Sequence, residues 1–459
     1  MTFIYCFLPV VCVCYFAFKN RTWRNAVLLV ASLIFYSWGE PSFAALMILA
    51  TFIAYIGGLL MSKTRFLYYR SLIFVITVIL ITANLFIFKY FNFVIENIEA
   101  ITGSAYSFEK IALPIGISFY TFQILSYVID LYRKEVAVQK NFFKLLLYVS
   151  LFPQLIAGPI VRYKTIENEI DNRTESLDAV AAGTRRFILG LSKKLLISNG
   201  AARIVEIIYA GDPNEFGTLM YWLAAISYAL QIYFDFSGYS DMAIGAGKIF
   251  GFNFLENFDH PYTALSITEF WRKWHISLSS WFRDYIYIPL GGNRVGKGRW
   301  VFNILIVWAL TGLWHGASWN FVLWGLYFAV FLIAEKLFLG KLLSKLPKFI
   351  QWIYSAFVVV VGWVIFYQDK MDELIKTLSM MFSLVPTNFT RMVANDSEIF
   401  TALIFIPLGI ICMLPISNWL EKGKERSDLA KNVLSLVLLA LCVAFVLSTK
   451  FNPFIYFRF

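Results

Sequence analysis

Several stretches of this chain are as long as a bilayer is thick and almost wholly apolar. Ser71–Phe91, Leu219–Gly245 and Asn432–Leu447 each approach the roughly 20 residues that a helix needs to cross a hydrocarbon core. Hydrophobic residues make up 59% of the 459 residues and charged ones only 15%, whereas about a quarter of an average soluble domain is charged. One soluble core could not hide that much apolar surface. The chain therefore reads as an all-α, polytopic integral membrane protein. About eleven transmembrane helices are expected, some short or broken, with short re-entrant or interfacial helices, in a single domain over 1–459.

The net charge of +11 does not point to nucleic acid. The basic residues form no contiguous patch. They fall in short clusters between apolar runs: Lys19/Arg21/Arg24, Lys63/Arg65/Arg70, Arg133/Lys134, Arg294/Lys297/Arg299, Lys341/Lys345/Lys348 and Lys422/Lys424/Arg426. The intervening loops lean acidic or neutral, at Glu40, Glu96/Glu99 and Asp212/Glu215. That alternation is the cytoplasmic-side bias of membrane insertion. With the basic loops inside, Met1 lies outside and the Gly39-Glu40-Pro41 turn is extracytoplasmic. Thr2–Phe18 has no charged n-region and no small-residue cleavage site, so it is expected to be a first membrane helix. The five cysteines lie in apolar runs without metal-ligand spacing, and are expected to be small buried hydrophobes.

Between Gly158 and Arg186 the chain is too hydrophilic to cross, and Asp171-Asn172-Arg173 marks a loop. Arg185–Ile208 reads as an amphipathic helix carrying Lys193-Lys194, lying on the interface or packed inside the bundle. Lys248–Arg299 is too polar for lipid and too aromatic for a solvated loop. A short helix folded back against the bundle fits it, since irregular backbone at membrane depth must be covered by protein or reached by water. Farther on, only about 35 residues separate Arg299 from Lys336. Two full spans and a turn need more than about 40. A short hairpin is expected, its tip carrying His315 between the helix breakers Gly312 and Gly316.

The chain has three histidines, and imidazole passes a proton in either direction near neutrality. His315 sits in Trp314-His315-Gly316-Ala317-Ser318-Trp319, between two apolar stretches. An ionisable residue at that depth is costly and marks function by default. A structural histidine bonded to a backbone carbonyl is the weaker reading. His275, in Trp271–Ser279, has more polar company and a stronger structural alternative. His260 reads as a loop residue. Asp235, Ser237, Tyr239 and Asp241 form a polar island within an apolar helix. They either line a polar passage or orient a histidine, or the aspartates pair with Arg272 or Arg283 to fix the fold. No phosphate-cradling Gly-Lys loop, zincin motif, nucleophile elbow or dinucleotide fingerprint occurs. With no clustered carboxylates, no metal site is expected.

These segments resemble the membrane-bound O-acyltransferase family, and within it the bacterial alginate O-acetyltransferase branch. The likeness rests on Gln231–Met242, Phe270–Arg294, Trp314–Trp319 and Pro453–Phe459. Tyr36–Gly39, Leu113–Tyr120 and Leu151–Arg162 extend it over the whole chain. The long block around His275 is the specific part, and the Trp-His-Gly motif alone would be weak. The resemblance implies a helical bundle around a central funnel or tunnel in the bacterial cytoplasmic (inner) membrane. It matches the family's invariant histidine to His315 and a second polar position to His275. No bound cofactor is implied. An acyl group, acetyl in this branch, arrives on acetyl-CoA or another cytoplasmic carrier. It leaves to a hydroxyl on the outer side, through an extracytoplasmic acetyltransferase or acceptor protein of a polysaccharide machinery. Alginate-like exopolysaccharide, cellulose and peptidoglycan are the acceptors expected. The branch that transfers D-alanine to teichoic acid shares the shorter motifs.

In that chemistry His315 takes the acceptor hydroxyl's proton, as a desolvated imidazole stays neutral and able to accept it. His275, Trp274 or a backbone N–H near Gly316 supports the developing negative charge. Trp314, Asp235, Ser237, Tyr239, Asp241 and Arg283 line or support the passage. The rival readings are a transporter, which would favour inverted repeats that the sequence lacks, and a non-catalytic assembly subunit, in which both histidines would be replaceable.

Overall fold

The computed structural model describes residues 2–387 apart from 40, 105, 107, 157 and 212, together with 403–414 and 428–448. Expectations that rest on Glu40, Asp212, the Lys422/Lys424/Arg426 cluster and Pro453–Phe459 lie outside these residues. The described chain is helical, with no strand among the described residues. It divides into two compact units, Met1–Gly183 with Ala246–Leu255, and Thr184–Gly245 with Glu256–Phe459.

The first unit holds α1 (Phe3–Phe16), α2 (Arg21–Gly39), α3 (Pro41–Lys63), α4 (Leu67–Thr102), α5 (Ile117–Tyr132), α6 (Phe142–Ser150) and α7 (Tyr163–Asn172). α8 (Leu177–Ser192) carries the chain into the second unit. There follow α9 (Asn199–Ala210), α10 (Pro213–Ile249), α11 (Ile267–Lys273), α12 (Ile276–Phe282), α13 (Lys297–His315), α14 (Trp319–Leu343) and α15 (Lys348–Tyr367). Last come α16 (Met371–Phe382), α17 (Phe405–Met413) and α18 (Asp428–Ser448). The basic clusters at Lys63–Arg70 and Lys341–Lys348 fall between or at the ends of long helices, as insertion bias requires.

Among the described residues, α3, α4, α14, α15 and α18 are long and apolar enough to cross a membrane. α18 leaves Leu429, Val433, Leu434, Leu436, Val437 and Leu441 exposed and buries only Cys442. In water that surface would be an aggregation patch, whereas in lipid it is already solvated. The same distinction corrects the expectation for the cysteines. Cys442 is buried, but Cys6, Cys14 and Cys412 are exposed on the protein surface and Cys12 is half-buried. A thiol facing hydrocarbon needs no protein cover.

One open reading closes and one expectation changes. Of the two placements open to the helix around Lys193-Lys194, the packed one is found. The helix passes from α8 through a π-turn, Lys193–Ser198, into α9, and much of it is buried. The hairpin of α13 and α14 is not short. Its return arm runs unbroken to Leu343, long enough to span. Lys336, expected at the end of the return arm, lies within the helix beside Glu335, whose carboxylate is buried and hydrogen-bonded. An internally satisfied charge does not mark the end of a span.

In the first unit α3 packs on α4, and both pack on α5, of which only Ile129 and Tyr132 escape burial. A second anchor lies in the polar loop after α7. Glu175 pairs with Arg21 at 2.7 Å and Arg24 at 2.5 Å and accepts from the Tyr15 hydroxyl. Arg173 Nε donates to the Phe250 carbonyl at 3.0 Å. Burial alone would raise the Glu175 pKa. The hydrogen bonds of Arg21 and Tyr15 and the charges of Arg21 and Arg24 outweigh it and hold the carboxyl below its ordinary value.

A carboxyl with a lowered native pKa stabilises above its unfolded value, and that gain is lost as pH falls through the folded one. Glu175→Gln should therefore cost on the order of 3 kcal/mol at neutral pH, the cost of leaving buried guanidinium groups unpaired. Thermal unfolding in detergent should show wild type and variant converging as pH drops below about 4.

Candidate active site

The segment between α10 and α13 is built around a break. Ser266 caps α11 through the Glu269 N–H at 3.0 Å, and the Glu269 side chain accepts from the Leu265 N–H at 2.9 Å, a pairing close to a capping box. From α14, the Glu335 carboxylate accepts from the Ile267 N–H at 2.7 Å, and from the Thr268 N–H at 2.9 Å and its hydroxyl at 2.6 Å. A negative charge at a helix N-terminus is favourable, and here it fixes α11 against the hairpin. α11 stops at Lys273, and α12 begins only after His275, whose backbone is left-handed at φ 44° and ψ 55°. For a residue other than glycine that conformation costs about 1–3 kcal/mol and persists only where surroundings impose it.

Asn257 imposes it. Its carbonyl accepts from the Ile276 N–H at 3.0 Å. Its Oδ1 accepts from the Ser277 N–H at 3.1 Å and the Ser277 hydroxyl at 2.9 Å, and lies 3.2 Å from His275 Nδ1. Its Nδ2 donates to Ser240 Oγ at 3.1 Å. Because Oδ1 faces a backbone N–H, its identity as the oxygen is fixed, so His275 Nδ1 carries the proton. Nε2 then holds a lone pair. It is buried and has no hydrogen-bond partner among the described residues.

His315 ends α13, and Gly316 leaves the helix in extended conformation. α13 and α14 approach to backbone contact. A Cβ on Gly312 would strike the Phe321 carbonyl, and one on Gly325 the Trp308 carbonyl. The His315 ring lies 4.9 Å from Trp314, 5.0 Å from Trp324 and 5.2 Å from Phe366. The His275 ring lies 5.9 Å from the Trp314 ring and 4.5 Å from Phe236. One indole thus touches both imidazoles. His315 is 9% exposed and His275 1%.

Around this pair several buried polar atoms lack a partner among the described residues: Trp271 Nε1, Trp324 Nε1, both amide atoms of Asn320, and Ser237 Oγ. Each such group costs about 1–3 kcal/mol in desolvation. Native proteins keep them where water or a ligand answers them. The Trp271 ring is 5.5 Å from Trp324 and also borders a cavity of about 330 Å³. Arg272, Arg283, Lys336, Trp308 and Thr311 contribute to its wall. Thr311 lies one turn before His315 on α13, so a cationic pocket ends beside the histidine-bearing helix. No group of three or more metal-ligating side chains is assembled among the described residues.

The other residues picked out from sequence fall as follows. Trp274 packs in the aromatic core, 4.7 Å from Trp363 and stacked on Phe270 at 5.6 Å. The Gly316 N–H is donated to the Gly312 carbonyl at 3.3 Å, which removes it as a donor to a substrate. Ser237 is buried on α10 and Tyr239 is half-buried there. Asp235 and Asp241 do not pair with Arg272 or Arg283. Asp235 pairs with Lys194 at 2.6 Å, and Asp241 with Lys193 at 2.6 Å and Arg186 at 2.5 Å. Gly190 and Gly238 make this possible, because a Cβ on either would strike the other's carbonyl. Arg283 pairs instead with the neighbouring Asp284 at 2.7 Å and borders the cavity. His260, also left-handed at φ 43°, bonds the Met413 carbonyl through Nδ1 at 3.0 Å.

Sequence reasoning passed over Asn257, Asn320 and Trp324 as site residues. A lone amide in the first turn of an apolar helix, directly after the His315 motif, was a signal for Asn320. Asn257 lies 18 residues before His275 with no periodic relation to it.

The model of the membrane-bound O-acyltransferase family matches residues 82–371. The chain is 35% identical to a protein of Azotobacter vinelandii named probable alginate O-acetylase AlgI, over 100% of this chain and 99% of that one. It is 30% identical to the peptidoglycan O-acetyltransferase of Helicobacter pylori, over 100% and 96%. With the teichoic acid D-alanyltransferase of Bacillus subtilis it shares 28% identity over 52% of this chain and 62% of that protein.

Asn257→Ala removes three side-chain bonds that hold the His275 turn. It should lower stability by about 2–3 kcal/mol and abolish whatever activity depends on His275. Unfolding in detergent alongside an activity assay checks both. Full activity in a folded Asn257→Ala protein would show that the turn holds itself.

Proposed function

The chain belongs to the membrane-bound O-acyltransferase family and is a multi-pass membrane O-acyltransferase, and we propose that it acetylates hydroxyl groups of an extracytoplasmic polysaccharide. Support for acetyl over D-alanyl comes from relatives named as O-acetyltransferases that align over the whole chain, whereas the D-alanyl relative aligns over about half. The observation that carries the catalytic reading is the pair of buried imidazoles that both neighbour the Trp314 ring, next to polar atoms without a partner among the described residues.

In this reading His315 is the general base. The acceptor hydroxyl gives its proton to the imidazole as its oxygen attacks the acyl carbon. His315 closes α13, and the negative end of a helix favours the positive charge that the ring gains. The leaving group of the donor takes the proton back. His275, held with Nδ1 protonated, offers Nε2 as an acceptor that can orient the hydroxyl. Tight aromatic packing around both rings keeps water from competing for the acyl group. Asp235 and Asp241 act indirectly, by clamping α10 to the π-turn after α8.

The donor is read as acetyl-CoA or another cytoplasmic acyl carrier. Arg272, Arg283 and Lys336 around the cavity suit a phosphate-bearing carrier, since guanidinium and ammonium groups bind phosphate oxygens. The protein works in the bacterial cytoplasmic membrane, handing the group outward to an extracytoplasmic acetyltransferase or acceptor protein of the polysaccharide machinery.

His315→Ala should abolish ester-linked acetate on the envelope polysaccharide while the protein still inserts at wild-type levels. Acetylation by a stably expressed His315→Ala protein would reject the assignment. In proteoliposomes, Arg272→Glu with Lys336→Glu should raise the acetyl-CoA concentration for half-maximal transfer at least fivefold, because each change replaces an attraction to phosphate with a repulsion. An unchanged requirement would remove the cavity from the donor path.

A further inference from the structure

Acyl transfer places negative charge on the carbonyl oxygen, and the reaction is slow unless preorganised N–H or O–H donors receive it. Two of the groups expected to receive it are engaged or of the wrong kind. The Gly316 N–H is donated to Gly312. His275 Nε2 bears a lone pair, so it accepts and does not donate. α14 carries two unassigned donors on the face that meets His315. Asn320 is 2% exposed and Trp324 1%. Neither amide atom of Asn320, nor the indole N–H of Trp324, has a hydrogen-bond partner among the described residues.

Residues four apart on a helix sit side by side on one face, so the Asn320 amide lies one turn from the Trp324 indole. The Trp324 ring is 5.0 Å from His315. Phe321, next to Asn320, lies against the position a Gly316 Cβ would take, and its ring is 5.0 Å from Phe366, which itself touches His315. Both donors therefore belong to the immediate surroundings of the base. Asn320 also lies in the first turn of α14, where the helix dipole is positive. An indole N–H can only donate, so what answers Trp324 must be an acceptor.

We infer that Asn320 and Trp324 form the oxyanion hole, with Asn320 Nδ2–H and Trp324 Nε1–H donating to the acyl carbonyl oxygen. This rests on the acyl-transfer reading above. The acceptor oxygen bonds to the acyl carbon while its proton passes to His315. The carbonyl π pair moves onto oxygen, where the two N–H groups hold it. On collapse the C=O re-forms, the bond between the acyl carbon and the donor's leaving atom breaks, and the proton on His315 goes to that atom.

Asn320→Leu keeps the volume and removes the amide. Trp324→Phe keeps an aromatic ring against His315 and removes the N–H. The test introduces each full-length variant into a strain lacking the chromosomal copy. It measures the initial rate at which ester-linked acetate appears on envelope polysaccharide, at matched protein levels. Purified variants are unfolded thermally in detergent in parallel. Each substitution should slow ester formation at least tenfold, toward the roughly 10²- to 10³-fold loss typical of one oxyanion donor. Asn320→Leu should unfold at the same or a higher temperature, because an apolar side chain replaces an unanswered polar one. Asn320→Asp, which puts an anion where the donor was, should lose at least as much activity. Wild-type rates for Asn320→Leu and Trp324→Phe beside an inactive His315→Ala would overturn the oxyanion hole and leave the acyl-transfer reading standing. A marked drop in the unfolding temperature of Asn320→Leu would identify the amide as a structural support and also overturn it. A wild-type protein that adds no ester would overturn the reading and the inference together.

Discussion

A polar group taken out of water must be answered by another, and nearly every informative feature of this protein is a response to that constraint. In the second unit, Lys193, Lys194 and Arg186 answer Asp241 and Asp235 across the contact of Gly190 with Gly238. Glu335 answers the N-terminus of α11. Asn257 answers the broken backbone at His275. In the first unit Glu175 answers two arginines and a tyrosine. These pairings are local and specific, and they position the helices more sharply than apolar contact alone, which slides easily.

Against that background the unanswered atoms stand out. Among the described residues some lie in the first unit, as at Thr121 and Gln123 on α5, while those of Trp271, Trp324 and Asn320 belong to the surroundings of His315. Stability would favour apolar side chains at these places, so their retention fits a site whose partners arrive with the substrate. The same economy explains the Trp-rich sequence. Aromatic side chains fill volume around an imidazole without competing for its proton, and an indole N–H adds a directed donor where needed.

The strained residue is also informative. His275 takes a left-handed backbone that asparagine or glycine would adopt more readily. The break in the helix turns the His275 ring out of line with α12 and beside Trp314. A continuous helix through this segment would carry the ring elsewhere. The position of the His275 ring thus rests on a strained backbone turn, which the side chain of Asn257 holds in place.

Much of this was legible in the residue order. Long apolar runs dictate membrane helices because lipid offers the backbone no hydrogen bonds, and the likeness of the His275 and His315 segments to one enzyme family carried the activity. The polar island of α10 left a lined passage and buried ion pairs both open. Of the glycines read as breakers beside His315, Gly316 does end the helix, whereas Gly312 lies inside α13 and serves close helix contact instead. Composition did not decide where the partners lay. Asp235 and Asp241 pair with lysines and an arginine some 40 to 55 residues upstream, not with Arg272 or Arg283 downstream. Lys336 looked like the end of a span, yet the helix runs past it, and the neighbouring Glu335 caps a helix about 68 residues earlier. The role of Asn257 and the shared face of Asn320 and Trp324 likewise emerged only from the folded chain. Apolar burial is additive along a sequence and can be read from it. A hydrogen bond depends on two groups meeting at a set distance and angle, and that meeting is decided by tertiary packing.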